Sequence, residues 1–173
     1  MNKKQYLIVD GYNVINAWED LKNMSIENLE MARDKLIDIM TEYGSFKGYI
    51  VIVVFDAYLV KGIRINDKKI KDRGIKVVYT KENETADTYI EKLINDIGKK
   101  HIIKVATSDW AQQQIVLGSG ATRLSARELK LEVDIAKKKI AKKVEESKIQ
   151  KNTLDSILDQ STLSKLEKIR RNH

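Results

Sequence analysis

Short apolar runs alternate with stretches of helical periodicity along most of the chain. The runs at residues 6–9, 49–55, 75–80 and 102–106 have the length of strands, and the second is apolar at every position. A strand buried on both faces of a parallel sheet has this character. Strands that alternate with helices predict an α/β fold built on a mainly parallel central sheet.

The stretches between the strands carry helix start and stop signals. Apolar spacing predicts a helix that starts near Ser25 or Asn28 and stops at Gly44. A second helix is expected between Thr85, as its N-cap, and Gly98. The polar, basic segment 61–73 reads as a loop with a short helix.

The region after the fourth strand is expected to hold shorter elements. Ser108 is a candidate cap for a short helix over 109–117, and a fifth strand is expected at 122–124. From residue 125 onward no glycine occurs, and the apolar spacing predicts a long amphipathic helix, with a shorter one at about 162–171. We therefore expect an α/β domain at residues 1–128 and a basic helical extension at 129–173.

Four aspartates stand where the predicted strands end. Asp10 and Asp56 close the first two runs, Asp109 follows the fourth, and Asp87 lies in the first turn of the helix after the third. Ligands of parallel α/β sheets bind beyond the carboxyl ends of the strands, so these acids are expected to form one cluster. Clustered carboxylates repel each other unless a cation is bound or some are protonated. Hard oxygen ligands favour Mg²⁺ or Mn²⁺.

Each acidic position also has a purely structural explanation. Asp10 can cap the segment that follows it, and Glu84 with Asp87 resembles a capping arrangement at a helix start. Ser108 and Asp109 can form an N-cap, or orient a water or a phosphate oxygen. Only a shared site explains why acids follow all of these strands together.

Composition removes several kinds of chemistry. The chain has no cysteine, which excludes thiol nucleophiles and zinc thiolates. The two histidines are His101, expected at the far end of the sheet, and the terminal His173, so imidazole pairs and Ser-His-Asp triads are disfavoured. The formal net charge of +7 suits a polyanion such as RNA, although a merely basic protein has the same charge.

The sequence gives no sign of membrane insertion. The first apolar run is too short for a signal-peptide core, and no segment is long enough to span a bilayer. A cytoplasmic location is expected.

Five segments resemble the YacP-like branch of the NYN domains, which are relatives of PIN-type nucleases. The similarity keeps its order over about residues 5–145, and the block at 80–87 is its most specific part. The segments are Val-Asp-Gly-Tyr-Asn at 9–13, Val-Phe-Asp-Ala at 54–57, Thr-Lys-Glu-Asn-Glu-Thr-Ala-Asp at 80–87, Ala-Thr-Ser-Asp at 106–109 and Ser-Ala-Arg-Glu at 125–128.

The resemblance implies a PIN-like three-layer α/β/α sandwich and a metal-dependent endoribonuclease. The branch includes ribosome-associated enzymes that cut messenger RNA, so RNA and the ribosome are the implied partners. The resemblance places Mg²⁺ or Mn²⁺ on Asp10, Asp87 and Asp109. Its expected supporting residues are Asn13, Asp56 and Glu84.

Basic and hydroxyl side chains are the candidates for contact with the RNA backbone. Those near the acids are Lys61, Lys81, Ser108, Arg123 and Arg127. Those on the C-terminal helix are Lys138, Lys139, Lys142 and Lys143, which are equally consistent with a solvated helix face.

Two other classes of function stay open. One is an RNA- or ribosome-binding adaptor that does not cut. The other is a receiver-like phosphoacceptor domain, which also places aspartates at strand ends. A receiver would need adjacent acids after the first strand and a lysine after the fifth, and the chain has neither feature.

Overall fold

The fold is built on a sheet of five parallel strands. The structure is a computed structural model that describes residues 3–57 and 75–157, with residues 162 and 168 besides. Its strand order is β3-β2-β1-β4-β5, and every pair is parallel. The strands are β1 (Gln5–Asp10), β2 (Ile50–Phe55), β3 (Ile75–Tyr79), β4 (Ile102–Ala106) and β5 (Thr122–Leu124).

Helices cover both faces of this sheet. They are α1 (Gly11–Ala17), α2 (Glu19–Glu27), α3 (Leu29–Lys47), α4 (Ala86–Ile97), α5 (Trp110–Gly118) and α6 (Ala126–Ile157). One apolar core holds α1 to α3 and the first turns of α6 against one face, and a second core holds α4 and α5 against the other. The expected three-layer α/β/α architecture is confirmed, and the sheet is wholly parallel rather than mainly so.

The chain divides into two compact units. The first is Met1–Ala136 and contains the sheet, and the second is Lys137–His173. Helix α6 begins in the first unit and continues into the second. No helix among the described residues has the length and apolar character needed to cross a membrane.

The strand order creates a switch point beside β1. From β1 the chain moves outward to β2 and β3, then returns to place β4 on the other side of β1. Ligands of open α/β sheets bind at such a point, beyond the carboxyl ends of the strands. Residue Asp10 lies level with Val54, and Val9 with Ala106, so the strands end together. A receiver domain has order 2-1-3-4-5, which this sheet does not share.

The first 48 residues hold more helix than the sequence predicts. Helices α1 and α2 precede α3, where only one helix starting near residue 25 or 28 is expected. Gly44 does not stop α3, which runs to Lys47 and ends at Gly48 in the left-handed conformation. Gly44 serves close packing instead, because an added Cβ would overlap the Val51 side chain. The predicted stop at Gly44 is therefore wrong, and the glycine that ends the helix is Gly48.

Of the two candidate caps for the helix after β4, Asp109 is the one that the structure shows. The Gln112 backbone N–H donates to Asp109 Oδ1 at 3.0 Å, so Asp109 caps α5 in place of Ser108. The expected caps Thr85 and Gly98 of α4 are confirmed. The predicted loop 61–73 lies outside the described residues, as does the second C-terminal helix apart from residues 162 and 168.

The first turns of α6 are held to the sheet unit by polar contacts. Ser125 and Glu128 exchange side-chain to backbone hydrogen bonds of 3.1 and 2.7 Å, which is a capping box. The Trp18 indole N–H donates to Ala126 O at 2.7 Å, and the Tyr43 hydroxyl donates to the Glu132 carboxylate at 2.5 Å. These contacts fix the start of α6 beside the carboxyl ends of the strands.

Candidate active site

The four aspartates line one cavity of about 400 Å³ at the carboxyl ends of the strands. They arrive from the end of β1, the residue after β2, the first turn of α4 and the start of α5. The cavity is lined by Asp10, Tyr12, Asn13, Asn16, Asp56, Thr85, Ala86, Asp87 and Asp109. The sequence prediction that the strand ends bring these acids together is therefore met.

Asp10 is the most buried of these carboxylates, with 9% of its surface exposed. Its Oδ1 accepts the Asn13 backbone N–H at 3.2 Å, so the residue also caps α1. Burial raises its pKa to about 6, and the charges of Asp87, Asp109 and Asp56 push in the same direction. Asp10 therefore both caps α1 and lines the cavity.

The charge repulsion extends across the cavity. Burial raises the pKa of Asp87, and the charges of Asp109 and Asp56 raise it further. Acids from three different elements therefore act on one another through space. A bound cation would relieve this repulsion, because an opposite charge nearby favours the ionised carboxylate.

Asn13 joins the two loops that carry Asp10 and Asp109. Its Oδ1 accepts a hydrogen bond from the Ser108 backbone N–H at 2.6 Å, and its own backbone N–H donates to Asp10 Oδ1. The Ser108 Oγ in turn accepts the Ala126 N–H at 3.3 Å. These contacts are consistent with the supporting role predicted for Asn13, because its side chain links the loop after β1 to the loop after β4.

The position of Asp56 is fixed by the ends of β2 and β3. The Thr80 N–H donates to Phe55 O at 3.0 Å, and the Ala57 N–H donates to Thr80 Oγ1 at 3.0 Å. Asp56 lies between these two contacts and lines the cavity. The buried threonine thus holds the backbone on both sides of the acid.

Glu84 is placed differently from the other predicted acids. Its carboxylate forms an ion pair with Lys92 Nζ at 2.7 Å, and Lys92 lies eight residues further along the chain, on α4. The hydrogen bond from Lys92 is the main reason that the pKa of Glu84 is lowered. The residue is absent from the walls of the acidic cavity. Its contact is that of an ion pair supporting α4.

The predicted RNA contacts are spread over several elements. Lys61 lies outside the described residues. Lys81 and Arg127 are exposed, and Arg123 Nη1 donates to Gln113 Oε1 at 2.8 Å. Ser108 is exposed at the β4–α5 loop. In the second unit, Lys138, Lys139, Lys142 and Lys143 are exposed, with Lys142 at 3.9 Å from Glu146.

Sequence reasoning missed three polar residues at or behind this cavity. Asn16 lines it and lies one turn after Asn13, a spacing that would have been visible had α1 been predicted. Tyr12 lines it too. The third is the buried Arg33, which bonds to Tyr12.

The donor chemistry fits a hard divalent cation. The acids offer oxygen ligands only, and their mutual repulsion favours a positive charge between them. In the part of the chain described by the structure, however, no group of three or more His, Cys, Asp or Glu side chains is placed to hold an ion directly. Mg²⁺ commonly keeps several waters and takes one or two carboxylates together with substrate phosphates, which an open cluster of this kind permits.

Comparison with known proteins identifies the family. The model of the YacP-like NYN domain matches residues 7–171. The chain is 46% identical over 168 residues to the YacP protein of Bacillus subtilis (strain 168), covering 95% of this chain and 96% of that protein. The chain belongs to the YacP-like NYN domain family. The family match runs to residue 171, past residue 145 where the resemblance seen in the sequence ends.

Solved structures show the same fold. The crystal structure of Rae1 (YacP) from Bacillus subtilis has a TM-score of 0.75 and 44% identity, covering 99% of this chain and 95% of that one. The crystal structure of a tryptophan-to-leucine mutant of the same Bacillus protein has a TM-score of 0.70 and 43% identity, covering 83% of this chain and 82% of that one. Membership of this NYN family places the chain among the PIN-like nuclease folds.

The glycine of the NYN segment Asp10-Gly11-Tyr12-Asn13 is required by close packing. An added Cβ on Gly11 would overlap the ring of Phe55. We expect Gly11→Ala to lower the free energy of unfolding by about 1–3 kcal/mol, the usual cost of overpacking a core. Urea denaturation measures this change.

A matched control separates packing from a general intolerance of alanine. Nothing lies within 4 Å of a Cβ added to Gly118, which ends α5, so Gly118→Ala should leave stability nearly unchanged. Combining Gly11→Ala with Phe55→Leu should recover part of the loss, since a smaller side chain leaves room. Equal stability of Gly11→Ala and wild type would contradict the packing explanation.

Proposed function

We propose that this chain is a metal-dependent endoribonuclease that hydrolyses phosphodiester bonds of RNA, acting in the cytoplasm on messenger RNA associated with the ribosome. The observation that carries the proposal is the acidic cavity at the switch point of a PIN-like sheet, in which burial and three neighbouring acids raise the pKa of Asp10 to about 6. Nuclease chemistry is supported by the family.

Each wall of the cavity has a distinct task in this proposal. Asp10, Asp87 and Asp109 would hold Mg²⁺ or Mn²⁺, in part through water ligands of the ion, and Asp56 would add negative charge beside them. The chemistry supplied by such an ion is activation of a water molecule and neutralisation of charge on the scissile phosphate. Asn13 keeps the Asp10 and Asp109 loops in register through Ser108. Glu84 is proposed to support α4 through its ion pair with Lys92.

The proposed substrate class is supported by the charge of the chain. A net charge of +7 combined with an acidic cavity suits a polyanion held by basic residues and cut at a metal. The exposed residues Lys81, Arg123 and Arg127, with Lys61, are proposed to hold phosphates near the cavity. Phosphate contacts of this kind position the strand without reading its sequence.

One experiment separates the proposed activity from its alternatives. Purified protein is incubated with free messenger RNA and with ribosome-bound messenger RNA, with Mn²⁺ and with chelator. We expect Mn²⁺-dependent cuts, more of them on the ribosome-bound strand. Binding without cuts in every condition would favour a non-catalytic adaptor. Equal cutting of both substrates would remove the ribosome from the proposal but leave the nuclease.

The basic part of α6 is expected to act on binding rather than on chemistry. We predict that changing Lys138, Lys139, Lys142 and Lys143 together to glutamine weakens binding to RNA or ribosomes. Each lost contact with a single strand should flatten the slope of log affinity against log salt by about 0.7. Turnover at saturating substrate should change little. Affinities at two salt concentrations measure both effects.

A second quadruple variant controls for the change in net charge. Lys22, Lys35, Lys99 and Lys100 are exposed lysines of the first unit, and their replacement by glutamine removes the same charge elsewhere. We expect the control variant to keep most of the wild-type affinity and salt slope. If the tail variant binds as well as wild type at both salt concentrations, its lysines are only a solvated helix face.

A further inference from the structure

A buried arginine stands directly behind the acidic cavity. Arg33 lies on α3 and is 6% exposed. Its Nη1 donates to the Tyr12 hydroxyl at 3.1 Å, and its Nε has no hydrogen-bond partner. Burying a charged group without full compensation is costly, so a guanidinium here needs a reason beyond packing.

The contact with Arg33 determines that the Tyr12 oxygen is the acceptor in this hydrogen bond. Because the guanidinium donates, the phenol oxygen accepts, and the phenol keeps its own hydrogen to donate elsewhere. Among the described residues, this hydroxyl makes no hydrogen bond besides the one from Arg33. A donor that is unused among the described residues is available to water or to a ligand in the cavity.

Tyr12 also belongs to the wall of the acidic cavity. The residue is 8% exposed, and its ring meets Phe55 edge-on with centroids 5.1 Å apart. The charge of Asp56, another wall of the cavity, acts on the Tyr12 hydroxyl. The ring is therefore fixed by packing against Phe55, and its hydroxyl experiences the charges of Arg33 and Asp56.

We propose that Tyr12 donates a hydrogen bond from its neutral hydroxyl to a phosphate oxygen of the RNA strand in the cavity, and that the buried Arg33 positions and polarises this donor. The inference rests on the proposed function for the identity of its substrate. A phosphate oxygen is an anionic acceptor, and a phenol whose oxygen already accepts from a cation donates more strongly. Tyr12 is thus a catalytic residue and Arg33 a positioning residue.

The first test removes the donor and keeps the ring. Tyr12→Phe should lower kcat/KM for RNA cleavage by about 10- to 100-fold, the range for one hydrogen bond to a charged group. It also removes the acceptor of Arg33 Nη1, so the melting temperature should fall, and rates are compared well below the unfolding transition of the variant. Tyr79→Phe is the matched control, since Tyr79 stacks on the same Phe55 at 5.5 Å and is absent from the cavity walls. An unchanged kcat/KM for Tyr12→Phe would overturn the inference.

The second test asks whether Arg33 acts through Tyr12. Arg33→Met should lower kcat/KM in the otherwise wild-type protein but by less than about twofold when added to Tyr12→Phe. If the two losses multiply instead, the positioning role is wrong. Should Arg33→Met fail to fold, Arg33→Lys replaces it, because lysine keeps the charge without the planar fork and should give a smaller, equally non-additive loss.

The proposed nuclease activity and the proposed hydrogen bond from Tyr12 can be tested separately. If the wild type does not cut RNA, the proposed function fails, and the inference is then decided by binding of a short single-stranded RNA in Mg²⁺. The pair to compare is Asp87→Asn with and without Tyr12→Phe. About tenfold weaker binding of the double variant would still support the donor. Equal binding, or none by either protein, would overturn it.

Discussion

Asp10→Asn and Asp87→Asn are each expected to fold and to lose RNA cleavage. Each substitution keeps the shape of the side chain and removes a charge that would hold the cation. Metal ions supply several kcal/mol of transition-state stabilisation. Losing that amount corresponds to a rate lowered by roughly 10³-fold. Initial cleavage rates, with circular dichroism to verify folding, measure the effect.

The control for these variants lies on the same helix as Asp87. Asp96 is an exposed acid on α4 that does not line the cavity, so Asp96→Asn should cut RNA at the wild-type rate. A near wild-type rate for Asp10→Asn or Asp87→Asn would remove that residue from the proposed metal shell. Loss of activity in Asp96→Asn as well would mean that the assay reports general damage.

The same Asp10→Asn protein is expected to be more stable than wild type at neutral pH without metal. In the folded chain the pKa of Asp10 is raised from 3.8 to about 6, so ionisation at pH 7 disfavours the folded state. A shift of this size corresponds to about 3 kcal/mol at 1.36 kcal/mol per unit. Asparagine carries no charge and its side-chain oxygen can still accept the Asn13 N–H as a cap.

The pH dependence has a definite sign. Because the folded pKa is raised, the favourable contribution of protonated Asp10 is complete below pH 3.8 and is lost as the pH rises through about 6. The stability difference between Asp10→Asn and wild type should therefore be small near pH 4 and largest above pH 7. Urea unfolding in chelator at several pH values measures it. A difference that does not grow with pH would show that Asp10 is not desolvated.

The parts of the fold that the sequence predicts are those set by apolar patterning. All five strands lie within one or two residues of their expected positions. The first four are apolar runs, as buried strands of a parallel sheet must be, whereas the edge strand β5 has two exposed residues of three. The acids could be predicted because parallel strands bring their carboxyl ends to one edge. Thus Asp10, Asp56, Asp87 and Asp109 share a cavity although 99 residues separate the first from the last.

The parts that the sequence did not predict depend on tertiary contacts. Helix α1 is seven residues long and starts directly from a strand, which leaves too short a pattern to recognise. The role of Gly44 depends on Val51 across the layer, and the ion pair of Glu84 depends on the rotamer of Lys92. Arg33 lies on a helix whose spacing gives no sign that its side chain reaches Tyr12.

The central claim is that the acidic cavity is a metal-dependent site of RNA cleavage, and one titration tests it most directly. Cleavage of a single-stranded RNA by the wild-type protein is followed as Mn²⁺ is added to chelated protein, then as excess EDTA is added. We predict no cuts before the metal, cuts that rise to saturation with Mn²⁺, and none after EDTA. Cleavage at an unchanged rate in excess EDTA would contradict this account.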